Sequence, residues 1–188
     1  MPRPARVTTR TGDSGETSLF GKGRVRKTDP RIVALGDLDE AQSALGVARA
    51  SVPAAERSLL LDLQRGLYRV MAEVATPTAD VPRLRERIDA DAVSSIDALV
   101  DGLRERAGAE GRFVVPGEDV ASATLDVART VVRRAERSVV GLADAKLLDG
   151  EHLVPWLNRL SDVVFLLARV VEPARTAAST AKRGRAER

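Results

Sequence analysis

Three stretches of this 188-residue chain carry side chains able to handle a polyanion. The first is TRTGDSGETSLFGKGRVRK, Thr9 to Lys27, where glycines, hydroxyls and lysines alternate. It is not a P-loop: five residues separate Gly15 from Gly21, one more than that motif has, and Lys22 is followed by Gly23 rather than Ser or Thr. No apolar strand leads into it. A segment of this kind can still offer backbone N–H groups, hydroxyls and ammonium groups to a polyphosphate. Composition alone favours the plainer reading, a basic N-terminus that is mobile.

The second stretch is DVARTVVRRAERSVV, Asp126 to Val140. At about 100° per residue, Arg129, Arg133, Glu136 and Arg137 fall along one edge of the apolar stripe Leu125, Ala128, Val132, Ala135 and Val139, and Arg134 points further toward solvent. Such an edge is either a salt-bridged helix surface or a row of partly desolvated guanidinium donors suited to phosphate. The third is WLNRLSDVVFLLAR, Trp156 to Arg169, in which Asn158 and Asp162 interrupt an apolar helix one turn apart. Asn158 reads equally as a hydrogen-bonded core residue or as a group that meets a ligand's polar edge. Asp39 lies at the margin of another apolar stripe, where a carboxylate is costly unless paired. Arg129 is a candidate partner, within the bundle or across a subunit contact. A lone histidine, His152, cannot make a transition-metal site. Nothing singles out Asp37, Asp39 or Glu40 as a general acid or base.

The elements that must position these groups are helical. Aromatics make up 3% of the chain and apolar residues 44%, so the core is built from Leu, Val and Ala, which favours packed helices over a β-sandwich. Apolar stripes at three- and four-residue spacing predict helices over about 30–51, 54–75, 89–107, 120–143 and 151–171, with Pro155 in the first turn of the last. Residues 1–30 read as irregular. The expected fold is all-α, an up-and-down five-helix bundle in one domain over 1–173. The basic excess of +3 is concentrated in residues 174–188, which hold a local +4 and leave the rest at −1. That segment reads as a disordered basic tail rather than a nucleic-acid surface. There is no cysteine, no apolar run of membrane-span length and no signal-peptide core, so no membrane partner is expected and a cytoplasmic location fits.

Taken in order, TRTGDSGETSLFGKGRVRKTDPR, LGDLDEAQSALG, RFVVPGED, ARTVVRRAER and WLNRLSDVVFLLAR resemble the PduO-type ATP:cob(I)alamin adenosyltransferases over about residues 7–171. The resemblance implies a ferritin-like five-helix bundle that assembles as a homotrimer, with active sites between subunits. It implies attack of cob(I)alamin on the 5′ carbon of ATP, giving adenosylcobalamin and triphosphate with the help of Mg²⁺. Thr9, Arg10, Thr11, Gly12, Thr17, Ser18 and Lys27 are similar to an ATP clamp, which would order over the triphosphate. Arg133, Arg134, Glu136, Arg137 and Asn158 match further nucleotide-site residues. Asp39 and Arg129 match a salt bridge between subunits that shapes the catalytic site together with Arg133. Phe113 matches an aromatic that packs under the corrin. The chain departs from the usual pattern at Thr8, Ala41, Gln42, Glu118 and Asp126, changes expected to bear on the corrinoid more than on ATP. A second function, also implied, is a catalytically weak homologue that delivers adenosylcobalamin to a client enzyme. A nucleic-acid-associated helical protein is the third reading, and the Lys27, Arg133 and Asn158 set argues against it.

Overall fold

The computed structural model describes residues 8, 10–20, 23–108 and 114–172. Proline and capping residues set the helix limits. In α1 (Pro30–Ser51), Asp29 accepts the Arg31 N–H and Pro30 occupies the first turn; the helix stops before Pro53. The second helix, α2 (Ala54–Ala75), ends ahead of Pro77. In α3 (Ala90–Ala107), Asp89 accepts the Ala92 N–H, and Gly108 closes the helix in the left-handed conformation at φ 56°. A reciprocal capping box between Asp119 and Ser122 starts α4 (Val120–Asp144). The last helix is α5 (Leu153–Val171). Each limit falls within two residues of the span expected from periodicity.

The N-terminal segment is less irregular than its composition suggests. Strands β1 (Glu16–Thr17) and β2 (Val25–Arg26) pair antiparallel, with Glu16 opposite Arg26 and Thr17 opposite Val25. A ladder of two residues is too short for apolar alternation to reveal it. The loop after α2 likewise contains a 3₁₀ turn, Val81–Arg83.

Side chains that cross between helices show how the bundle is wound. Arg31, at the start of α1, donates through Nη1 to the carbonyls of Val74 (3.1 Å) and Thr76 (2.7 Å) at the end of α2. Its Nη2 donates to Thr78 Oγ1 at 3.2 Å and to the Leu147 carbonyl. One guanidinium thus satisfies carbonyls that a helix terminus leaves open. Glu56 meets Arg106 at 2.6 Å between α2 and α3. Asp37 accepts from Ser138 between α1 and α4, and Asp126 accepts from Arg169 at 2.6 Å between α4 and α5. These pairings make consecutive helices antiparallel, as expected. The buried residues of all five helices form one hydrophobic cluster. Helix α5 is buried nearly all round, from Leu153 and Trp156 to Leu167 and Ala168, and is therefore the inner helix. Gly66 lets α2 approach it: a Cβ there would lie 2.3 Å from the Trp156 ring. Among the described residues no helix is long and apolar enough to cross a membrane.

On α1 the fully buried face runs through Ala34, Leu38, Ala41, Leu45 and Ala48. Gln42 faces α2, where the Gln42 and Gln64 amides each donate to the other's backbone carbonyl at 3.1 Å.

Glu73 is buried on α2 and accepts the Ile88 N–H at 2.5 Å, which ties the approach to α3 onto the bundle. Burial raises its carboxyl pKa, against the opposing pull of the Ile88 N–H and of Arg87, His152 and Arg69. Folding thus favours the protonated form, and that stability is lost as pH rises through the raised value. Glu73→Gln keeps the acceptor without the charge. It is expected to raise the melting temperature near neutral pH, with the gain shrinking toward about pH 4; thermal unfolding across pH checks this, and a uniform loss at every pH would contradict it.

Candidate functional site

Strand pairing and one arginine shape the N-terminal segment. The Lys27 N–H donates to the Gly15 carbonyl at 2.9 Å and the Gly15 N–H to the Gly12 carbonyl at 3.1 Å. Arg10 and Gly15 take positive φ angles of 59° and 82°, which fold the chain back on itself. Gly12 is thereby pressed against Lys27: a Cβ on Gly12 would lie 3.1 Å from Nζ. Arg10, Thr11, Ser18 and Lys27 are exposed and Thr17 is half-buried. Thr9 and Phe113 lie outside the described residues. The segment docks on the bundle through the Phe20 N–H, which donates to the Ala75 carbonyl at 2.9 Å.

On α4 the arginines divide into two sorts. Arg133 and Arg137 are exposed, and Arg137 Nη1 caps the Arg133 carbonyl at 3.1 Å. Arg134 does not reach out to solvent as its wheel angle suggests. It is half-buried and pairs with Asp37 at 3.7 Å and with Glu40, both on α1. Its charge is thus largely matched, whereas those of Arg133 and Arg137 face outward. Glu136 accepts from Asn158 Nδ2 at 3.1 Å, which brings two of the expected site residues together across the α4–α5 seam. Asn158 is half-buried, and its Oδ1 accepts from Arg159 at 3.3 Å.

Asp39 and Arg129 are not paired within the chain. Asp39 is exposed and so carries no burial cost there. Arg129 lies 3.5 Å from Asp126 instead. Asp126 is itself buried and is held by Arg169, whose side chain is 6% exposed and lies over the Phe165 ring at 5.4 Å. Arg169 also pairs with Glu172 at 3.0 Å. Even so, Arg169 Nε and Nη1 and Arg129 Nε are buried without a hydrogen-bond acceptor among the described residues. Arg169 and Arg24 did not stand out in the sequence. A single arginine ending the apolar run VVFLLAR was the available signal for the first.

Just before α4, partial burial acts to raise the Asp119 carboxyl. Hydrogen bonds from Ser122 Oγ and from the Ser122 and Ala121 N–H groups, with the Arg169 charge, outweigh it and hold the group below its ordinary value.

The family model for cobalamin adenosyltransferase matches residues 7–171. A corrinoid adenosyltransferase from Citrobacter freundii is 40% identical over 168 residues, covering 89% of this chain and 95% of its own. One from Mycobacterium tuberculosis is 41% identical over 173 residues, 89% of each chain. The chain belongs to the cobalamin adenosyltransferase family. Among solved structures, a variant of the PduO-type ATP:corrinoid adenosyltransferase from Lactobacillus reuteri, complexed with cobalamin and ATP, superposes with a TM-score of 0.79 at 30% identity, over 89% of this chain and 91% of that one. A second variant of the same protein, complexed with ATP, gives 0.78 at 28% identity over 87% and 92%.

The Asp126–Arg169 pair is the most deeply buried charge contact of the α4–α5 seam. Removing Asp126 leaves Arg169 buried with Glu172 as its remaining carboxylate, at about 3 kcal/mol, the low end for a broken buried pair. Asp126→Ala is therefore expected to lower unfolding free energy by roughly that much in denaturant titrations. Asp126→Ala combined with Arg169→Met should recover much of it. A double variant no more stable than the single one would show that the pair does not act as a unit.

Proposed function

We propose that the protein transfers the 5′-deoxyadenosyl group of ATP to the cobalt of cob(I)alamin. The cobalt electron pair attacks C5′, the C5′–O bond breaks, and the bonding electrons leave with triphosphate. Adenosylcobalamin is the product. The observation that carries this reading is the family match over nearly the whole described chain, with the α4 arginines and Asn158 in place on adjoining helices.

The nucleophile belongs to the corrinoid, so the chain needs no catalytic Ser, Cys or His. Its work is to orient two substrates and to neutralise the leaving group. Arg133 and Arg137, outward-facing and without a carboxylate partner among the described residues, are the donors for the triphosphate. Lys27, with Thr9, Arg10, Thr11, Gly12, Thr17 and Ser18, closes over it from the N-terminal segment. Arg134, held by Asp37 and Glu40, keeps α4 in register on α1 beside the nucleotide. Glu136 orients Asn158 toward the nucleoside. Phe113 supplies an apolar surface under the corrin, which keeps an oxygen or nitrogen ligand off the cobalt and makes its reduction easier.

Mg²⁺ finds no ready cage here, since no group of three His, Cys, Asp or Glu among the described residues could hold a metal ion. A cation held mainly by the nucleotide's own phosphates needs none, and no step above depends on it.

The active unit in this reading is a homotrimer in the cytoplasm, with Asp39 of one subunit meeting Arg129 of the next. Support comes from the exposed valines Val33 and Val47 on α1 and Val120 and Val127 on α4, apolar surface that a subunit contact would cover. The catalytic domain covers residues 1–173, and the basic tail is dispensable.

Anaerobic mixing of the protein with ATP, Mg²⁺ and chemically reduced cobalamin should develop the Co–C absorption spectrum. ATP binding without that change would defeat the enzyme reading. Arg133→Ala is expected to reduce kcat/KM by about 10²–10³-fold without changing the melting temperature, because the side chain is exposed. Truncation after Pro173 should leave turnover within about twofold of the full chain, measured by the same absorbance assay.

A further inference from the structure

Arg24 lies inside the clamp segment, yet its donors are directed at the segment rather than away from it. Nη2 donates to the Thr11 carbonyl at 2.6 Å and to the Glu16 carbonyl at 3.1 Å. Nε donates to Glu16 Oε2 at 3.3 Å. One planar guanidinium therefore bridges the turn at Thr11 to the first residue of β1, and a carboxylate neutralises it. What it spans is the loop that carries Thr11 and Gly12 back to Lys27. The backbone links among the described residues of that loop include the Asp13–Arg10, Gly15–Gly12 and Lys27–Gly15 bonds and the two-residue ladder. Arg24 adds the side-chain link that ties the Thr11 turn, flanked by two positive-φ positions, to β1.

We propose that Arg24 is the positioning residue of the ATP clamp. It holds Thr11 and Gly12 against Lys27 before the nucleotide arrives, and it does not itself bind phosphate. This rests on the adenosyltransferase reading for its consequence, though not for its geometry. Preorganisation of this kind lowers the ordering cost of binding, so its loss appears in the nucleotide KM more than in the chemical step.

The test uses the full-length protein with Arg24→Ala, Arg24→Lys, Glu16→Gln and the double variant Arg24→Ala/Glu16→Gln. For Arg24→Ala the KM for ATP is expected to rise about tenfold with kcat within about threefold. Arg24→Lys should not rescue it, because an ammonium cannot span two carbonyls and a carboxylate in a fork. Glu16→Gln should give a smaller change in the same direction, and the double variant should be no worse than Arg24→Ala alone. In the protein without ligand, the Gly15 and Lys27 amides should exchange faster in Arg24→Ala, while the bundle amides and the melting temperature stay unchanged. Rescue by lysine, additivity with Glu16→Gln or unchanged exchange would each overturn the proposal. If the wild-type protein binds no ATP, the function reading fails instead, and the exchange measurement still decides whether Arg24 is the strut.

Discussion

A guanidinium taken out of water must bring its acceptors with it, and that constraint runs through this structure. The chain has 30 Lys and Arg residues and a core of aliphatic side chains, so arginines at the core margin need partners from other helices. Arg169 has Asp126 and Glu172. Arg134 has Asp37 and Glu40. Arg31 has four acceptors drawn from the end of α2, the loop after it and the loop after α4. Apart from Arg169–Glu172, three residues apart at the end of α5, each of these contacts joins segments far apart in the chain. The polar links therefore specify which helix faces which, while the apolar stripes supply the non-directional attraction.

The same constraint sorts the arginines by role. Those with carboxylate partners, Arg134 and Arg169, hold α4 against α1 and α5. Arg133 and Arg137, with no carboxylate partner among the described residues, remain available to an anion. Neighbours in sequence thus do different work: Arg133 and Arg134 are adjacent, yet one faces outward and the other is bound to α1. The reaction suits such an arrangement, because it asks the protein for placement and charge rather than for a nucleophile. In the N-terminal segment the logic repeats on a smaller scale, with Arg24 bound to carbonyls of its own turn and Lys27 left exposed at the end of it.

Much of this could be read from residue order alone. Periodicity located the five helices because helix burial repeats every three to four residues, and in the structure Pro30, Pro53, Asp89 and Asp119 fix limits close to those spans. The ordered motifs from TRTGD to LNRLSD identified the family, since each comes from a different part of the chain and their joint occurrence is specific. The Asn158–Glu136 contact was also within reach, as both residues were singled out before either had a position.

What residue order could not supply was partnership between distant groups. Asp39 was placed at the margin of an apolar stripe with Arg129 as candidate partner; within this chain it is exposed, and Arg129 turns to Asp126. Gln42 gave no sign in the sequence of its exchange of hydrogen bonds with Gln64 on α2. Asp126 stood out only as a substitution, until α5 brought Arg169 to it. The two-residue ladder of the N-terminal segment was invisible because it is shorter than any period. Local sequence determines helices, caps and motif chemistry through interactions a few residues long. Which charges are matched and which stay free is decided by desolvation between helices that are adjacent only in space.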